Sequence, residues 1–79
     1  MVYIDKANSN SGWSHLVSDC LEELHSFAVV IGLKKDWFQN IPGKPHYDVK
    51  GIVRRNAIKK GAIVVSSKEI VNLLKYHYN

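Results

Sequence analysis

Short apolar segments alternate with helical patterns along this chain, and the alternation restricts the fold more than any other feature of the sequence. The predicted strands are residues 2–4, 34–38 and 62–65, and the predicted helices are residues 14–31, residues 49–60 and a third that begins at Ser66. Strands that alternate with helices are typical of a parallel sheet with right-handed crossovers. The sequence therefore predicts an α/β fold with a small three-stranded parallel sheet in βαβαβα order and three helices.

Strand order and chain length decide how the sheet is covered. We expect the order 2-1-3, in which the first strand is central and buried on both faces. The order 1-2-3 would leave one face of the sheet bare, and a dimer would have to cover it. A chain of 79 residues buries only about 60–65% of its unfolded surface, so we expect a homo-oligomer.

The first helix is predicted from the spacing of its apolar residues. Between residues 14 and 31 they recur at steps of three and four, and Gly32 follows where a helix commonly ends. Cys20 lies in the middle of this stripe and is predicted to be buried and unreactive. The apolar positions are Leu16, Cys20, Leu24, Phe27, Ala28 and Ile31.

Turn and capping residues delimit the remaining segments. Residues 40–46 contain both prolines and a glycine and are predicted to form a loop. Asp48 is expected to cap the helix at 49–60, and Ser66 with Glu69 forms a capping box at the start of the last helix. The segment 62–65 is apolar throughout, as in a strand that is buried on both faces.

Composition excludes several classes of protein. The length fits a single α/β domain over residues 1–79. One cysteine excludes an internal disulfide and a cysteine-rich zinc site, and we expect a cytoplasmic protein. No apolar run approaches the roughly 18–20 residues of a membrane span, so no membrane partner is expected. The net charge of +4 favours an anionic partner such as nucleic acid or a nucleotide.

Polar residues gather where the predicted strands end, which is where open parallel sheets bind ligands. Asp5 ends the first strand, His15 lies near the start of the first helix, and His46 and Asp48 precede the second helix. These four are the predicted catalytic residues, because carboxylates and imidazoles serve as acids, bases and metal ligands. Asp5 and His46 are the predicted ligands of a divalent metal, Mg²⁺ or Mn²⁺.

The predicted helix starts offer free amides and partial positive charge, which suit phosphate. We therefore expect the chain to bind a phosphate-bearing ligand, a nucleotide or nucleic acid. If the chain is an enzyme, the expected reaction is metal-dependent phosphoester hydrolysis. The alternatives are a non-catalytic, phage-type regulatory module that binds nucleic acid or protein, and a structural homo-oligomer, so the sequence leaves open whether the chain is an enzyme. The predicted ligand-binding residues are Trp13, Ser14, Tyr47, Lys50, Arg54 and Ser66.

Other polar and aromatic residues have structural interpretations. Asp19 lies four residues after His15 on the polar side of the predicted helix, as in an ordinary solvated pair. His25 lies at the edge of the apolar stripe and is expected to pack there. Of Trp37 and Phe38, one must face the core.

Segments along nearly the whole chain resemble the small bacterial and phage proteins grouped as domain of unknown function 4031. The resemblance rests on VYID, WSHLVSDCLEELHSFAVVIGLKKDWFQ, PHYDV and KKGAIVVSSKE, between Val2 and about Val71. The family has no assigned activity, so the resemblance supports the boundaries and implies no reaction. Its recurring polar positions correspond here to Asp5, Ser14, His15, Asp19, His25, Gln39, His46, Tyr47, Asp48 and Arg54.

The chain departs from the family pattern early in the second helix. The family carries Thr, Ser and Lys there, whereas this chain has Lys50, Ile52 and Val53. If those polar residues hold a phosphate in the family, the departure implies a different mode of phosphate binding here, or a loss of activity.

Overall fold

Five strands, three α-helices and one 3₁₀ turn make up the computed structural model, which describes residues 1–78. In chain order the elements are β1 (Val2–Asp5), β2 (Ser14–Ser18), α1 (Leu21–Val30), the 3₁₀ turn (Lys35–Trp37), β3 (Gln39–Ile41), β4 (Lys44–Val49), α2 (Gly51–Lys59), β5 (Ile63–Val65) and α3 (Ser67–Tyr78).

The strands form one mixed sheet in the order β3-β4-β2-β1-β5. β1 pairs in parallel with β5, whereas the β1–β2, β2–β4 and β3–β4 pairs are antiparallel. The predicted three-stranded parallel sheet in βαβαβα order is therefore wrong. Two features of the predicted topology are present in the structure. The first strand lies inside the sheet, and the last strand pairs with it in parallel.

The segment after the first loop is strand β2, and not the start of a helix. Residues 14–18 continue the apolar spacing of α1, which is why one long helix was predicted. They also alternate, because Leu16 lies on one face of the sheet and His15 on the other. β2 is hydrogen-bonded to β1 on one side and β4 on the other, so its backbone groups are satisfied as a central strand. α1 begins only at Leu21.

The predicted loop at 40–46 contains a β-hairpin. Pro42 and Gly43 form the two-residue turn between β3 and β4, and Gly43 has a φ of +78°, a left-handed value that glycine adopts without strain. Asp48 consequently lies inside β4. The residue that precedes α2 is Lys50, which makes no side-chain cap, so the prediction of Asp48 as a helix cap is wrong.

Three local predictions fail because of where the elements end. Residues 35–37 form a 3₁₀ turn and not a strand. Cys20 immediately precedes α1 and is exposed, not buried in an apolar stripe. β5 is an edge strand with Ile63 and Val64 partly exposed, so it is not buried on both faces.

The last third of the chain confirms the predicted boundaries most closely. β5 and α2 lie within one or two residues of the predicted segments. The capping box of α3 is present: the Glu69 amide donates to Ser66 Oγ at 3.1 Å, and the Ser66 amide donates to Glu69 Oε2 at 2.9 Å.

Helices cover the sheet from both sides. On one face α1 and α2 pack over a core of Val2, Ile4, Leu16, Leu24, Ala28, Tyr47, Val49 and Ala57. On the other face α3 packs over a smaller cluster in which Val17, Ile70 and Leu74 are buried. Of the helices in residues 1–78, none has the length and apolar character required to cross a membrane.

Candidate functional site

The four predicted catalytic residues lie together on the α3 side of the sheet. His15 on β2 is paired with Asp48 on β4. Asp5 follows the Ile4–Leu16 pair on β1, which puts it beside His15. His46 is two residues before Asp48 and therefore lies on the same face. The first residues of β2 meet the last residues of β1 and β4 because β2 runs antiparallel to both.

Asp5 holds both the backbone and the ring of His15. The Asp5 side chain is 4% exposed; its Oδ1 accepts the His15 amide hydrogen at 2.7 Å, and its Oδ2 lies 2.7 Å from His15 Nδ1. A carboxylate oxygen only accepts, so Nδ1 carries the ring proton of the neutral His15 and Nε2 presents a lone pair. The His15 side chain is 55% exposed, which leaves Nε2 accessible to a ligand.

His46 is oriented by a backbone carbonyl. Its Nδ1 lies 2.7 Å from the Lys44 carbonyl oxygen, so Nδ1 donates to that oxygen, and in the neutral ring the lone pair is on Nε2. That Nε2 is 3.4 Å from Asp48 Oδ1. The rings of His15 and His46 meet edge to face, with centroids 5.3 Å apart.

These orientations resemble those of metal-binding histidines. One ligand atom from each of His15, His46 and Asp48 falls within 4.8 Å of the other two. In metal sites the second nitrogen of a ligating imidazole is usually bonded to a carboxylate or a carbonyl, which fixes the tautomer. Asp5 and the Lys44 carbonyl occupy those supporting positions here. Two imidazoles and one carboxylate could therefore hold a divalent ion.

Arg54 connects α2 to the strand ends that carry the cluster. Its Nε donates to Ser14 Oγ at 2.7 Å, and its Nη2 donates to the Asp5 carbonyl oxygen at 3.3 Å. Arg54 and Ser14 were both predicted to bind ligand, and this stays a prediction. The structure joins them to each other on the side of the sheet opposite to the ring of His15.

A groove of about 320 Å³ opens between the sheet and α3, beside the histidines. Two lysines, Lys44 and Lys75, contribute positive charge to it, and the remaining wall is mostly apolar. Lys75 was not among the predicted site residues, because it lies far along the chain on α3 and no local sequence pattern connects it to the histidines. The lining residues include Asp5, His15, His46, Val17, Ile70 and Leu74.

A second groove, of about 450 Å³, lies at the same end of the sheet. It is lined by both tryptophans, Trp13 and Trp37, together with the predicted ligand-binding residue Lys50. Lys50 Nζ lies 4.8 Å from the ring centroid of Trp13. Asp48 also lines this groove, so one carboxylate adjoins both the histidine cluster and the tryptophans.

Two predicted ligand-binding residues lie apart from this cluster. Tyr47 is buried on the opposite face, where its hydroxyl lies 2.8 Å from His25 Nδ1. Burial raises the pKa of the Tyr47 phenol, which therefore stays protonated at neutral pH. His25 packs against Phe38, the member of the Trp37–Phe38 pair that faces the core, as the sequence required. Ser66 is engaged in the capping box of α3.

The comparisons with known proteins identify a family but no activity. The family model described as Protein of unknown function (DUF4031) matches residues 2–77. Neither the curated proteins nor the solved structures gave a match to this chain. Since the family match covers nearly the whole chain, as the resemblance of its segments led us to expect, the chain belongs to the DUF4031 family of proteins of unknown function.

Proposed function

We propose that His15, His46 and Asp48 hold one divalent metal ion, which hydrolyses a phosphoester bound in the groove beside α3. The observation that carries the proposal is the paired orientation of the two imidazoles. Each has its Nδ1 within 2.7 Å of an oxygen of the protein, which in the neutral ring leaves the lone pair on Nε2, and one ligand atom of each ring lies within 4.8 Å of a ligand atom of Asp48.

The ligand set favours a transition metal over magnesium. Imidazole nitrogens suit Zn²⁺, Mn²⁺ and Fe²⁺, whereas Mg²⁺ prefers oxygen ligands alone. Asp5 acts as the support of His15 and not as a ligand, because both of its oxygens already accept hydrogen bonds from that residue. Three protein ligands leave at least one position for water, as in catalytic zinc sites.

The groove supplies the other requirements of phosphoester hydrolysis. A divalent ion held by these residues would lower the pKa of a bound water, to about 7 for zinc in carbonic anhydrase, and would so supply hydroxide at neutral pH. Lys44 and Lys75 offset the charge of a phosphate group held beside the metal. The apolar wall at Ile70 and Leu74 accommodates the organic part of the ester.

Metal binding is tested by thermal unfolding in the presence of Zn²⁺ or Mn²⁺. A metal at 100 times its dissociation constant should stabilise the native chain by about 2.7 kcal/mol, which raises Tm. His15→Ala and His46→Ala should remove most of this rise. His77→Ala is the matched control, because His77 lies in the last turn of α3 and outside the cluster. An equal rise in Tm in all four proteins would contradict the proposed site.

Turnover is tested separately with bis(p-nitrophenyl) phosphate, whose hydrolysis is followed by absorbance. We expect release of nitrophenol that requires added metal, stops on chelation and is lost in His15→Ala. Metal binding without turnover would leave the cluster as a metal site and contradict the hydrolytic part of the proposal.

A further inference from the structure

We propose that the groove lined by Trp13 and Trp37 binds the bases of a single-stranded nucleic acid. The inference also names the substrate of the neighbouring metal site, a nucleic acid strand, and this part of it rests on the proposed function. The binding step itself needs no metal.

The exposure of the two tryptophans is the first support. Trp13 is 44% exposed and Trp37 is 50% exposed, although both are large apolar residues at the wall of one groove. Exposed aromatic rings on a groove are the surfaces on which proteins stack unpaired bases. The groove volume of about 450 Å³ falls within the range of ordinary small-ligand sites.

The charge around the groove is the second support. A lysine lies over each tryptophan: Lys50 Nζ is 4.8 Å from the Trp13 ring centroid, and Lys34 Nζ is 5.6 Å from that of Trp37. In a single strand each base is attached to a phosphate, so an ammonium group near a stacking ring can neutralise the phosphate next to the stacked base. The whole chain carries a net charge of +4, which is complementary to a polyanion.

The polar residues of the groove fit base edges better than phosphate. Asp36 and Gln39 line the wall beside Trp37. A carboxylate repels phosphate but accepts hydrogen bonds from the amino groups of bases, and an amide both donates and accepts. This combination of rings, lysines and hydrogen-bonding side chains favours a nucleic acid over a purely apolar partner.

The position of Asp48 connects this groove to the histidine cluster. Asp48 lines the tryptophan groove, and its Oδ1 is 3.4 Å from His46 Nε2. A strand with a base stacked in the tryptophan groove would therefore have its phosphate chain near Asp48, the residue that both sites share. The two sites together would select an unpaired strand and cleave it next to the stacked base.

Tryptophan fluorescence tests the binding step directly. The chain has two tryptophans and both line the groove, so quenching reports on that groove alone. We expect short oligothymidylate to quench the emission in buffer that contains a chelator, and a duplex of the same length to bind more weakly. Each single Trp→Ala variant leaves the other tryptophan as the reporter.

Trp13→Ala and Trp37→Ala should each weaken binding about 5- to 150-fold, the loss expected for one stacked base. Trp13→Phe and Trp37→Phe should retain most of the affinity, because phenylalanine also stacks, and their circular dichroism verifies the fold. Lys50→Ala should reduce the salt dependence of binding, whereas Lys60→Ala, at the C-terminal end of α2, should leave it unchanged.

Absence of quenching, duplex binding as tight as single-strand binding, or equal affinity in the alanine variants would each overturn the inference. None of these results concerns metal, since the chelator is present throughout. Conversely, absence of a metal-dependent rise in the Tm of the wild-type chain would overturn the proposed function alone, so the two failures are distinguishable.

Discussion

A single buried carboxylate organises the histidine cluster. Asp5 accepts one hydrogen bond from the backbone of His15 and one from its ring, so it fixes both the position of β2 and the tautomer of the imidazole. Arg54 donates to the Asp5 carbonyl oxygen and holds the same residue from the other side of the sheet. The chemistry proposed for His15 therefore depends on a residue that is not among the proposed metal ligands.

Asp5→Asn should weaken metal binding about 10- to 100-fold, as is typical when the partner of a ligating histidine is changed. The single oxygen of the amide can satisfy only one of the two donors of His15. If the amide nitrogen faces Nδ1, the ring proton moves to Nε2 and blocks the metal. Calorimetric titration with Zn²⁺ measures the effect, with Glu22→Gln, at an exposed position of α1, as the control. Unchanged affinity in Asp5→Asn would show that Asp5 does not position His15.

Tyr47→Phe should lower the free energy of unfolding by about 1 kcal/mol while leaving metal affinity intact. The substitution removes the hydrogen bond to His25 but keeps the aromatic ring, which packs beside Phe38. Urea unfolding measures the first quantity and zinc titration the second. A loss of metal affinity would mean that the core face influences the cluster on the opposite side of the sheet.

Among the elements, α3 has the largest effect on the site. It covers only part of its sheet face, burying Ile70 and Leu74 against Val17, and the uncovered part becomes the groove beside the histidines. Lys75 enters the groove from the same helix.

Ser66→Ala should lower the free energy of unfolding by about 1 kcal/mol, since the variant loses the hydroxyl that accepts the Glu69 amide hydrogen. Ser9→Ala, in the exposed loop after β1, is the control. Chemical denaturation measures both. A stability equal to that of the control would indicate that water replaces the cap without loss.

The elements also show what the sequence could and could not predict. Ser66 and Glu69 are three residues apart, so a local pattern was sufficient to locate the start of α3. β2 was not predictable in this way: its apolar residues fit the helical spacing of α1, and its strand conformation depends on pairing with β1 and β4, which are distant in sequence. Pro42 and Gly43 indicated a turn, but the prediction assigned all of residues 40–46 to a loop. It therefore missed the strands β3 and β4, which lie directly on either side of this two-residue turn.

Asp5, His15, His46 and Asp48 were predicted to lie together at the carboxyl ends of parallel strands. The structure brings them together by a different route, through the antiparallel pairing of β2 with β1 and β4. The grooves were not predictable, because they depend on the packing of α3 and on the position of Trp37 after α1.

In the whole molecule, different polar and charged groups lie at the two ends of the sheet. One end carries the histidine cluster and both grooves. At the other end the amino group of Met1 is bonded to Asp19 and Glu23, and Ser18 Oγ lies 2.9 Å from Glu23 Oε1. These contacts join the start of β1, the end of β2 and the start of α1. The charged groups around Met1 and those of the proposed ligand site therefore lie at opposite ends of the sheet.

Acidification should weaken the end that contains Met1. The ammonium group of Met1 lowers the pKa of Glu23 below 4.5 and of Asp19 below 3.8, so the stability that they contribute is present above those values and is lost as pH falls through the lowered values. The same contacts raise the pKa of the Met1 amine above 8.0, so its contribution is lost as pH rises through that raised pKa. The side chains are partly exposed, and salt should reduce both effects.

Thermal unfolding of the wild type and of Glu23→Gln across the pH range checks this expectation. The difference in Tm should be largest near neutral pH and should shrink toward acid pH, where Glu23 is protonated in both folded and unfolded chains. A difference that is constant with pH would mean that Glu23 contributes through packing and not through its charge.

The pairing of His15 with Asp48 makes the site sensitive to strand alignment. A slip of β2 by one residue would turn every side chain of that strand to the opposite face. His15 would then enter the core and Leu16 would meet solvent, and no ligand set would remain. Metal uptake by a freshly refolded sample would consequently serve as a check on assembly, because only molecules with the native alignment of β1, β2 and β4 could acquire an ion.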